Sequence, residues 1–412
     1  MSAGGIVTIY PGHAVGRVIA PPSKSMAHRL LIGAALATGE STVRHVAPSE
    51  DILATADCLR ALGAGIEGVE TGICTVSGLT DHGASVGGVR HLDCRESGST
   101  LRFLLPLCLD GIPTVLHGRG RLLARPMEIY RELCRERGIT FEQNDESITV
   151  CGRLKAGTFS LRGDVSSQFI TGLLFALPRL CQDSYIRLTT PVESRSYLDL
   201  TFDALRAFGV CVEWRGEREI YVPGGQRYRA SDVTVEGDHS NAAFFGALRA
   251  LGGEVTVDGL REDSRQGDRL WRAHLSALAA GCPTISLADC PDLGPVLMAV
   301  AAAGKGAIFT DAGRLRIKES DRGAAMAEEL RAFGVDVGIS PDGGTVTVHG
   351  GSFRAPDRML CGHNDHRIVM SLALLCTLTG GSITDAGAVA KSMPDFFDVL
   401  AGLGIRLSLD AG

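Results

Sequence analysis

The sequence predicts an α/β protein assembled from six copies of one unit, because two patterns recur in phase along the chain. The first pattern is a helix that ends in Leu-x-x-x-Gly, or a close variant, and is followed at once by a short strand. Its leucines, separated by 74, 72, 70, 55 and 70 residues, are Leu59, Leu133, Leu205, Leu275, Leu330 and Leu400. The second pattern is a small residue followed by a short β run, starting near Ser41, Pro113, Ser184, Gly253, Gly306 and Gly381. Two independent patterns with one rhythm indicate a repeated α/β module.

An alternating strand closes most copies of the unit, as at 73–77, 147–150, 219–222 and 345–348. Each unit is therefore predicted to contain a strand, a helix, two further strands and a loop into another helix. The fourth copy, Leu275–Gly281, is the weakest match. Because units of about 70 residues exceed the usual solenoid periods, we expect globular domains with three units in each.

Length and composition set the broad class of the protein. The 412 residues are too many for one ordinary core, so two or three domains are expected. The net charge is −6 and no basic tail occurs, which argues against a nucleic-acid partner. The twelve cysteines are scattered without a Cys-x-x-Cys motif, which favours reduced thiols. With no signal segment and no membrane-spanning apolar run, we expect a cytoplasmic protein without a membrane partner.

Several apolar helices are predicted to begin with a polar and often charged cluster. These clusters occupy 23–29, 96–102, 166–168, 237–240, 291–295, 318–322 and 364–367. Serine and aspartate there are ordinary N-caps, and capping explains each cluster taken alone. Capping does not explain the cations in the first turns, which oppose the helix dipole unless an anion is bound; they are Lys24, Arg29, Arg102, Lys318, Arg322 and Arg367. We therefore predict that these helix ends bind a ligand with several negative charges.

Two carboxylates, Asp292 and Glu319, occur among these cations, and they indicate catalysis. An acid and a base among fixed cations suit proton transfer to or from a bound anion. A non-catalytic protein that binds a phosphate ligand is the alternative, although both carboxylates would weaken anion binding. No metal is expected, since His363 and His366 lack an evident third ligand. No nucleotide cofactor is expected, since the G-x-G-x-x-G match at 63–68 follows a helix rather than a strand.

At these residues the chain resembles the 5-enolpyruvylshikimate-3-phosphate synthase (3-phosphoshikimate 1-carboxyvinyltransferase) family. The resemblance extends from Pro22 to Pro394, nearly the whole chain. The matching segments, in order, are Lys24–Arg29, Ser97–Arg102, Arg125-Pro126, Ser166–Gln168, Ser194–Tyr197, Glu236–Asp238, Pro291-Asp292, Lys318–Arg322, Asp365–Arg367 and Lys391. So many ordered matches make the resemblance specific.

The resemblance implies a fold and a reaction. The fold is the two-domain inside-out α/β barrel of the enolpyruvyl transferases, with six βαβαββ units, three per domain. Residues 1–19 and 236–412 would form a discontinuous domain, and residues 20–235 an inserted one. The reaction is transfer of the carboxyvinyl group of phosphoenolpyruvate to the 5-hydroxyl of shikimate 3-phosphate, with release of phosphate, on the shikimate pathway to chorismate and the aromatic amino acids. No metal or organic cofactor is implied, and we expect a monomer.

The resemblance also implies a role for each matching residue. Shikimate 3-phosphate would be held by Lys24, Ser25, Arg29, Ser166, Ser167, Gln168, Ser194, Asp292 and Lys318. Phosphoenolpyruvate would be held by Lys24, Gly98, Arg125, Gln168, Arg322, Arg367 and Lys391. Asp292 would take the proton from the 5-hydroxyl. Glu319, with Lys24, would protonate the enol methylene and later remove a proton as phosphate leaves.

Two positions depart from the family pattern, and one related enzyme competes with this interpretation. Glu96 and Arg314 each stand where asparagine is common in the family, which leaves their roles open. The competing enzyme is UDP-N-acetylglucosamine enolpyruvyl transferase, which places a reactive cysteine in a mobile loop. The corresponding loop, Gly118–Arg125, contains no cysteine, so the sequence favours the shikimate enzyme.

Overall fold

The structure is a computed structural model that describes residues 5–79 and 88–410. Within these ranges the α-helices are α1 Lys24–Leu36, α2 Glu50–Ala61, α3 Gly98–Leu104, α4 Glu128–Glu136, α5 Ser167–Ala176, α6 Arg195–Ala207, α7 His239–Ala250, α8 Trp271–Ala280, α9 Gly294–Ala303, α10 Arg322–Ala332, α11 His366–Thr379 and α12 Phe396–Gly402. Across this part of the chain, every helix is too short or too polar to cross a lipid bilayer.

The strands of the same ranges are short. They are β1 Ile6–Ile9, β2 Val15–Ile19, β3 Glu40–Arg44, β4 Gly65–Glu67, β5 Ile73–Ser77, β6 Arg90–Asp93, β7 Thr114–His117, β8 Thr140–Gln143, β9 Ser147–Cys151, β10 Thr158–Leu161, β11 Ser184–Leu188, β12 Glu213–Trp214, β13 Glu219–Val222, β14 Val233–Thr234, β15 Glu254–Asp258, β16 Thr284–Ser286, β17 Gly306–Thr310, β18 Val337–Ile339, β19 Val346–His349, β20 Gly381–Ile383 and β21 Leu407–Asp410.

The repeated leucine and glycine pattern marks six helix ends, as predicted. The pattern closes α2, α4, α6, α8, α10 and α12, and each of these helices is followed by a strand. Five of the six terminal glycines adopt a positive φ, for example +103° at Gly63 and +78° at Gly334. A glycine in this left-handed conformation ends a helix without the steric cost that a β-carbon would add. The exception is Gly281 of the fourth copy, whose φ is −178°.

Four sheets share one strand order and one pairing pattern. They are β14-β3-β5-β4, β6-β7-β9-β8, β10-β11-β13-β12 and β16-β17-β19-β18. In each, the first two strands are parallel and the remaining pairs are antiparallel. The two other sheets are the parallel pair β15-β2 and the antiparallel sheet β20-β1-β21. The predicted fold class, a repeated α/β architecture, is confirmed.

The fourth unit departs from the predicted unit of strand, helix and two further strands. The strand that follows its helix, β16, is the first strand of the next sheet and pairs in parallel with β17 there, instead of forming a hairpin within its own unit. The missing hairpin accounts for the short spacing of 55 residues between Leu275 and Leu330. It also explains why Leu275–Gly281 matches the pattern least well.

The chain contacts divide it into two compact units. The discontinuous unit combines the chain up to Pro21 with the chain from Gly237 onward, and the inserted unit runs from Pro22 to Glu236. Each unit has its own apolar core. In the discontinuous unit, α9 is buried from Gly294 to Ala302 and packs against α7, α10 and α11. In the inserted unit, α5 is similarly buried and packs against α3 and α6. Helices that are apolar on every side belong at the centre of such a core.

Candidate active site

The N-termini of the buried helices carry ordinary capping residues. Six side chains accept a hydrogen bond from a backbone N–H in the first turn that follows; they are Ser23 before α1, Ser97 before α3, Ser166 before α5, Asp238 before α7, Asp321 before α10 and Asp365 before α11. Capping is therefore present at each of these starts. The cations beside the caps take no part in it, so they need a separate explanation.

One group of polar residues lies in the inserted unit, and we call it the hydroxyl cluster. Its members are Lys24, Ser25, Arg29, Ser97, Gly98, Ser99, Arg102, Arg125, Ser166, Ser167, Gln168, Ser194 and Thr201. Most of them stand at the starts of α1, α3, α5 and α6. Ser166, Ser167 and Ser194 are buried, and Ser194 precedes α6 with a φ of +57°.

Arg29 is the most buried cation of the hydroxyl cluster, at 2% exposure. Its guanidinium donates to the carbonyls of Ser25 (2.6 Å) and Tyr197 (3.1 Å) and to the hydroxyl of Thr201 (2.9 Å). All three of these partners are neutral. Burial lowers the pKa of Arg29 to about 10, so the side chain stays charged at neutral pH. A buried cation without an anionic partner is a favourable place for an anionic ligand.

Gly98 lies beneath the charged ends of neighbouring side chains. A β-carbon placed on Gly98 would lie 2.7 Å from Arg125 Nη1, 3.3 Å from Arg102 Nη1 and 3.6 Å from Gln168 Oε1. Gln168 accepts from Arg102 Nη1 at 2.7 Å and donates to Ser99 Oγ at 3.0 Å. The absent side chain leaves the backbone at the start of α3 open to close approach beside these two guanidinium groups.

Lys24 is the first residue of α1, and its ammonium group lies 2.8 Å from Asp51 Oδ2. Both side chains are largely buried, with 15% and 12% exposure. Asp51 comes from the first turn of α2, and sequence reasoning did not assign it a role. A buried carboxylate at this distance fixes the position of the ammonium group.

A buried chain of hydrogen bonds connects the helices that carry Lys24, Asp51 and Gly98. His28 Nδ1 lies 2.7 Å from Thr55 Oγ1, which lies 2.6 Å from Thr100 Oγ1. Thr100 in turn donates to Ser97 Oγ at 2.7 Å. Burial, Lys24 and Arg29 lower the pKa of His28 well below its usual value, so the imidazole is neutral. Neutral groups thus join α1, α2 and α3 beneath the cations.

A second group lies in the discontinuous unit, and we call it the carboxylate cluster. Its members are Asp292, Lys318, Glu319, Arg322, Asp365, Arg367 and Lys391. Arg322, 1% exposed, is at its centre: Nη1 donates to Asp292 (2.8 Å), Nη2 to Glu319 (2.6 Å) and Nε to Asp365 (2.8 Å). One guanidinium therefore holds three carboxylates. Asp365 is a site residue that sequence reasoning matched only as part of a motif.

Asp292 is the most strongly polarised carboxylate of this cluster. Besides Arg322, its oxygens lie 3.1 Å from Lys318 Nζ and 3.4 Å from Arg367 Nη2. Burial alone would raise the pKa of Asp292, but Arg367, Lys318 and Arg322 together hold it well below its usual value. Burial lowers the pKa of Lys318, and the attraction of Asp292 offsets this only in part. Asp292 is thus an ionised carboxylate, and the three cations around it also shield it from water.

The guanidinium of Arg367 carries more N–H donors than the surrounding residues of the described ranges accept. Its Nη2 donates to Ser240 Oγ at 3.0 Å, whereas its buried Nε and Nη1 have no hydrogen-bond partner among the residues that the structure describes. Buried guanidinium donors without acceptors are costly. The arrangement therefore fits an anionic ligand that supplies the missing oxygens. Lys391 donates from Nζ to the carbonyl of Asn364 at 2.7 Å, next to the start of α11.

The structure brings the predicted residues together within each unit. Lys318, Glu319, Arg322 and Arg367 all meet around Asp292, although their sequence positions span 76 residues (292 to 367). Of the two departures from the family pattern, Glu96 lies against the loop backbone at Gly120, where its carboxylate would be 2.8–3.0 Å from a β-carbon. Arg314 is buried near Lys318, whose charge it helps to destabilise. The association of Lys24 with the carboxylate cluster stays a prediction.

Comparisons with known proteins identify relatives along nearly the whole chain. The family model described as EPSP synthase (3-phosphoshikimate 1-carboxyvinyltransferase) matches residues 10–400. The 3-phosphoshikimate 1-carboxyvinyltransferase of Clostridium beijerinckii is 40% identical, covering 97% of this chain and 98% of the relative. That of Clostridioides difficile is 38% identical, covering 98% of both. A solved structure of EPSP synthase from Acinetobacter baumannii superimposes with a TM-score of 0.78 at 25% identity, covering 99% of this chain and all of the other.

Proposed function

The chain belongs to the EPSP synthase (3-phosphoshikimate 1-carboxyvinyltransferase) family, and we propose the part that each of its charged residues takes in the reaction. It is a transferase that moves the carboxyvinyl group of phosphoenolpyruvate to the 5-hydroxyl of shikimate 3-phosphate and releases phosphate. The observation that carries the assignment of roles is the carboxylate cluster, in which two candidate proton carriers, Asp292 and Glu319, share the guanidinium of Arg322.

The hydroxyl cluster supplies most of the binding for shikimate 3-phosphate in this proposal. Its ligands are Lys24, Ser25, Arg29, Ser166, Ser167, Gln168 and Ser194, and the discontinuous unit adds Asp292 and Lys318. The buried charge of Arg29, whose hydrogen-bond partners among the described residues are two carbonyls and a hydroxyl, supports a role in binding the sugar phosphate. Charge-assisted hydrogen bonds to phosphate are roughly twice as strong as neutral ones.

Phosphoenolpyruvate is held by residues of both clusters in this proposal: Lys24, Gly98, Arg125, Gln168, Arg322, Arg367 and Lys391. Nε and Nη1 of Arg367, which lack a hydrogen-bond partner within the described ranges, support a bidentate interaction with its carboxylate or phosphate. Arg322 is already engaged with three carboxylates, so we propose that it acts on this substrate chiefly by fixing Asp292 and Glu319. Two anionic substrates repel each other, and fixed cations offset that repulsion.

The chemistry requires one proton to leave oxygen and one to reach carbon. Asp292 accepts the proton of the 5-hydroxyl as the oxygen attacks C2 of phosphoenolpyruvate. Glu319, with Lys24, delivers a proton to the methylene carbon, which gives a tetrahedral intermediate. In the second half, the same pair removes a proton from that carbon as the bond from C2 to the phosphate oxygen breaks. Atoms and protons balance: the sugar gains the carboxyvinyl group, phosphate leaves with its bridging oxygen, and the proton taken up by Asp292 passes to that phosphate.

A phosphate-release assay tests the proposal. Purified protein mixed with shikimate 3-phosphate and phosphoenolpyruvate is expected to release phosphate only when both are present. A non-catalytic binding protein would release none, and the UDP-N-acetylglucosamine enzyme would require the nucleotide sugar instead. Release with UDP-N-acetylglucosamine, or none with any pair, would overturn the assignment.

The setting of the enzyme is also a proposal. We place the reaction in the cytoplasm and the protein in a monomeric state, with small molecules as its only partners. The net charge of −6 supports the exclusion of nucleic acid. Sedimentation of the purified protein would test the monomer, and a mass twice that of the chain would contradict it.

A further inference from the structure

Glu329 is a fully buried carboxylate on α10, two helical turns beyond Arg322. Its oxygens accept from three groups of one short segment. Arg358 donates from Nη1 (2.9 Å) and Nη2 (3.1 Å), the backbone of Cys361 from N (3.0 Å), and His363 from Nε2 (3.0 Å). A single carboxylate thereby attaches residues 358–363 to the helix that begins with Arg322.

The attached segment leads directly into the carboxylate cluster. His363 and Asn364 both adopt the left-handed conformation, with φ of +51° and +48°. The next residue, Asp365, caps α11 and binds Arg322, and the carbonyl of Asn364 accepts from Lys391. Two consecutive non-glycine residues in this conformation cost about 1–2 kcal/mol each. The turn therefore persists only because the surrounding contacts determine its shape.

We propose that Glu329 and His363 are positioning residues for the carboxylate cluster. Their ion pair holds the turn 361–365 so that Asp365 meets Arg322 and the Asn364 carbonyl meets Lys391. Neither side chain touches the reacting groups in this scheme; both act through the backbone between them. The inference rests on the proposed roles of Arg367 and Lys391 in binding phosphoenolpyruvate.

Glu329 and His363, together with Glu328, could also be considered as metal ligands, but we do not assign them to a metal site. Ligand atoms of Glu328, Glu329 and His363 lie within 4.8 Å of one another, as a metal site would require. However, the guanidinium of Arg358 already contacts both oxygens of Glu329. A cation at this place would have to displace a fixed positive charge. The cluster is better described as an ion-pair network in which two cationic side chains, Arg358 and His363, donate to one buried carboxylate.

The network has a charge state that depends on pH. The hydrogen bond to Glu329 raises the pKa of His363, with Glu328 and Asp385 adding to the effect and burial opposing it. Burial would raise the pKa of Glu329, but His363 and Arg358 together lower it. The contribution of His363 is therefore present below its ordinary pKa and is lost as pH rises through its raised value. The charged groups that face it are Glu328 and Glu329 of α10, Arg358 of its own segment and Asp385 after β20.

The test compares His363→Gln and His363→Leu with the wild-type enzyme. Glutamine retains a donor for Glu329 but carries no charge, whereas leucine supplies neither. For His363→Leu we expect the KM for phosphoenolpyruvate to rise about tenfold, because the turn that holds Lys391 is displaced. We expect kcat to stay within about twofold, because Arg322 keeps its ion pairs with Asp292 and Glu319. In wild type we expect the KM for phosphoenolpyruvate to increase as pH rises through the raised pKa of His363, because its charged bond to Glu329 is lost. For His363→Gln we expect a smaller rise of KM than for His363→Leu, and no such increase at alkaline pH. His349, whose side chain is exposed, provides the matched control, and His349→Gln should keep the wild-type pH profile.

A second measurement tests the Glu329–His363 ion pair and the turn that it holds, which we call the clamp, independently of the proposed function. Amide hydrogen exchange of 361–365, recorded without substrates, should be about tenfold faster in His363→Leu than in wild type. If wild-type protein releases no phosphate, the proposed function fails, yet faster exchange would still support the clamp. An unchanged KM and unchanged exchange in His363→Leu, or a wild-type alkaline rise retained in His363→Gln, would overturn the clamp itself.

Discussion

The most buried arginines of the two clusters, Arg29 and Arg322, are held in opposite ways. In the hydroxyl cluster, Arg29 is bound by two carbonyls and a hydroxyl, and the positive charge remains available. In the carboxylate cluster, Arg322 is bound by Asp292, Glu319 and Asp365, and its charge is used within the protein. Neutral partners leave a cation available to an anionic ligand, whereas ionic partners fix the positions of the carboxylates that exchange protons. The difference therefore separates a region suited to binding from one suited to proton transfer.

The largest expected effect is the loss of stability when Arg322 is replaced. Arg322→Met would leave three buried carboxylates without their common partner, and we expect the free energy of unfolding to fall by about 3–5 kcal/mol, with activity lost. The exposed pair of Arg206 with Asp203 provides the control, and Arg206→Met should cost no more than about 1 kcal/mol. Urea unfolding of both variants measures this. Equal losses in the two variants would contradict the central role of Arg322.

A change of charge without a change of shape tests the proton-transfer side of the comparison. Glu319→Gln keeps a polar side chain beside Arg322 but cannot accept or deliver the proton. We expect kcat to fall by about 10²–10⁴-fold while phosphoenolpyruvate still binds. Single-turnover kinetics and calorimetric titration separate the two effects, and exposed Glu254→Gln serves as control. Full turnover in Glu319→Gln would remove this residue from the mechanism.

Arg29→Met is the counterpart of Arg322→Met and tests the binding side. No ion pair is broken, so we expect a change of less than about 2 kcal/mol in the free energy of unfolding. The affinity for shikimate 3-phosphate should instead fall about 10–100-fold, since charged hydrogen bonds to the ligand are lost. Calorimetric titration with shikimate 3-phosphate gives the affinity. A large loss of stability in Arg29→Met, together with normal affinity for shikimate 3-phosphate, would reverse the comparison.

Gly98→Ala should have the smallest effect of the four. The added β-carbon would lie 2.7 Å from Arg125 Nη1, so the guanidinium at the end of this flexible side chain must shift. We expect the KM for phosphoenolpyruvate to rise about tenfold or less, with stability unchanged within about 1 kcal/mol. Steady-state kinetics measures this, and Gly402→Ala, where a β-carbon meets nothing within 4 Å, is the control. An unaltered KM would place Gly98 outside the subsite.

Local sequence was sufficient wherever the structure depends on neighbouring residues. The six helix ends at glycine, the caps such as Ser97 and Asp365, and the buried α9 all follow from short-range patterns. The weak fourth copy was visible in the sequence, but its cause was not. Only strand pairing revealed that β16 joins β17 and leaves that unit without its hairpin.

The sequence by itself determined the repeated α/β architecture, the family and the set of cations at helix starts, because these are written in periodicity and ordered motifs. The tertiary structure alone decided the partner of each charge. Asp51 reaches Lys24 across 27 residues, Asp365 reaches Arg322 across 43, and His363 reaches Glu329 across 34. A charge has no preferred partner until packing removes water and fixes distance, since both set the strength of the interaction. The residue types therefore predicted clusters of charged side chains, and burial in the folded chain decided which of these side chains form ion pairs.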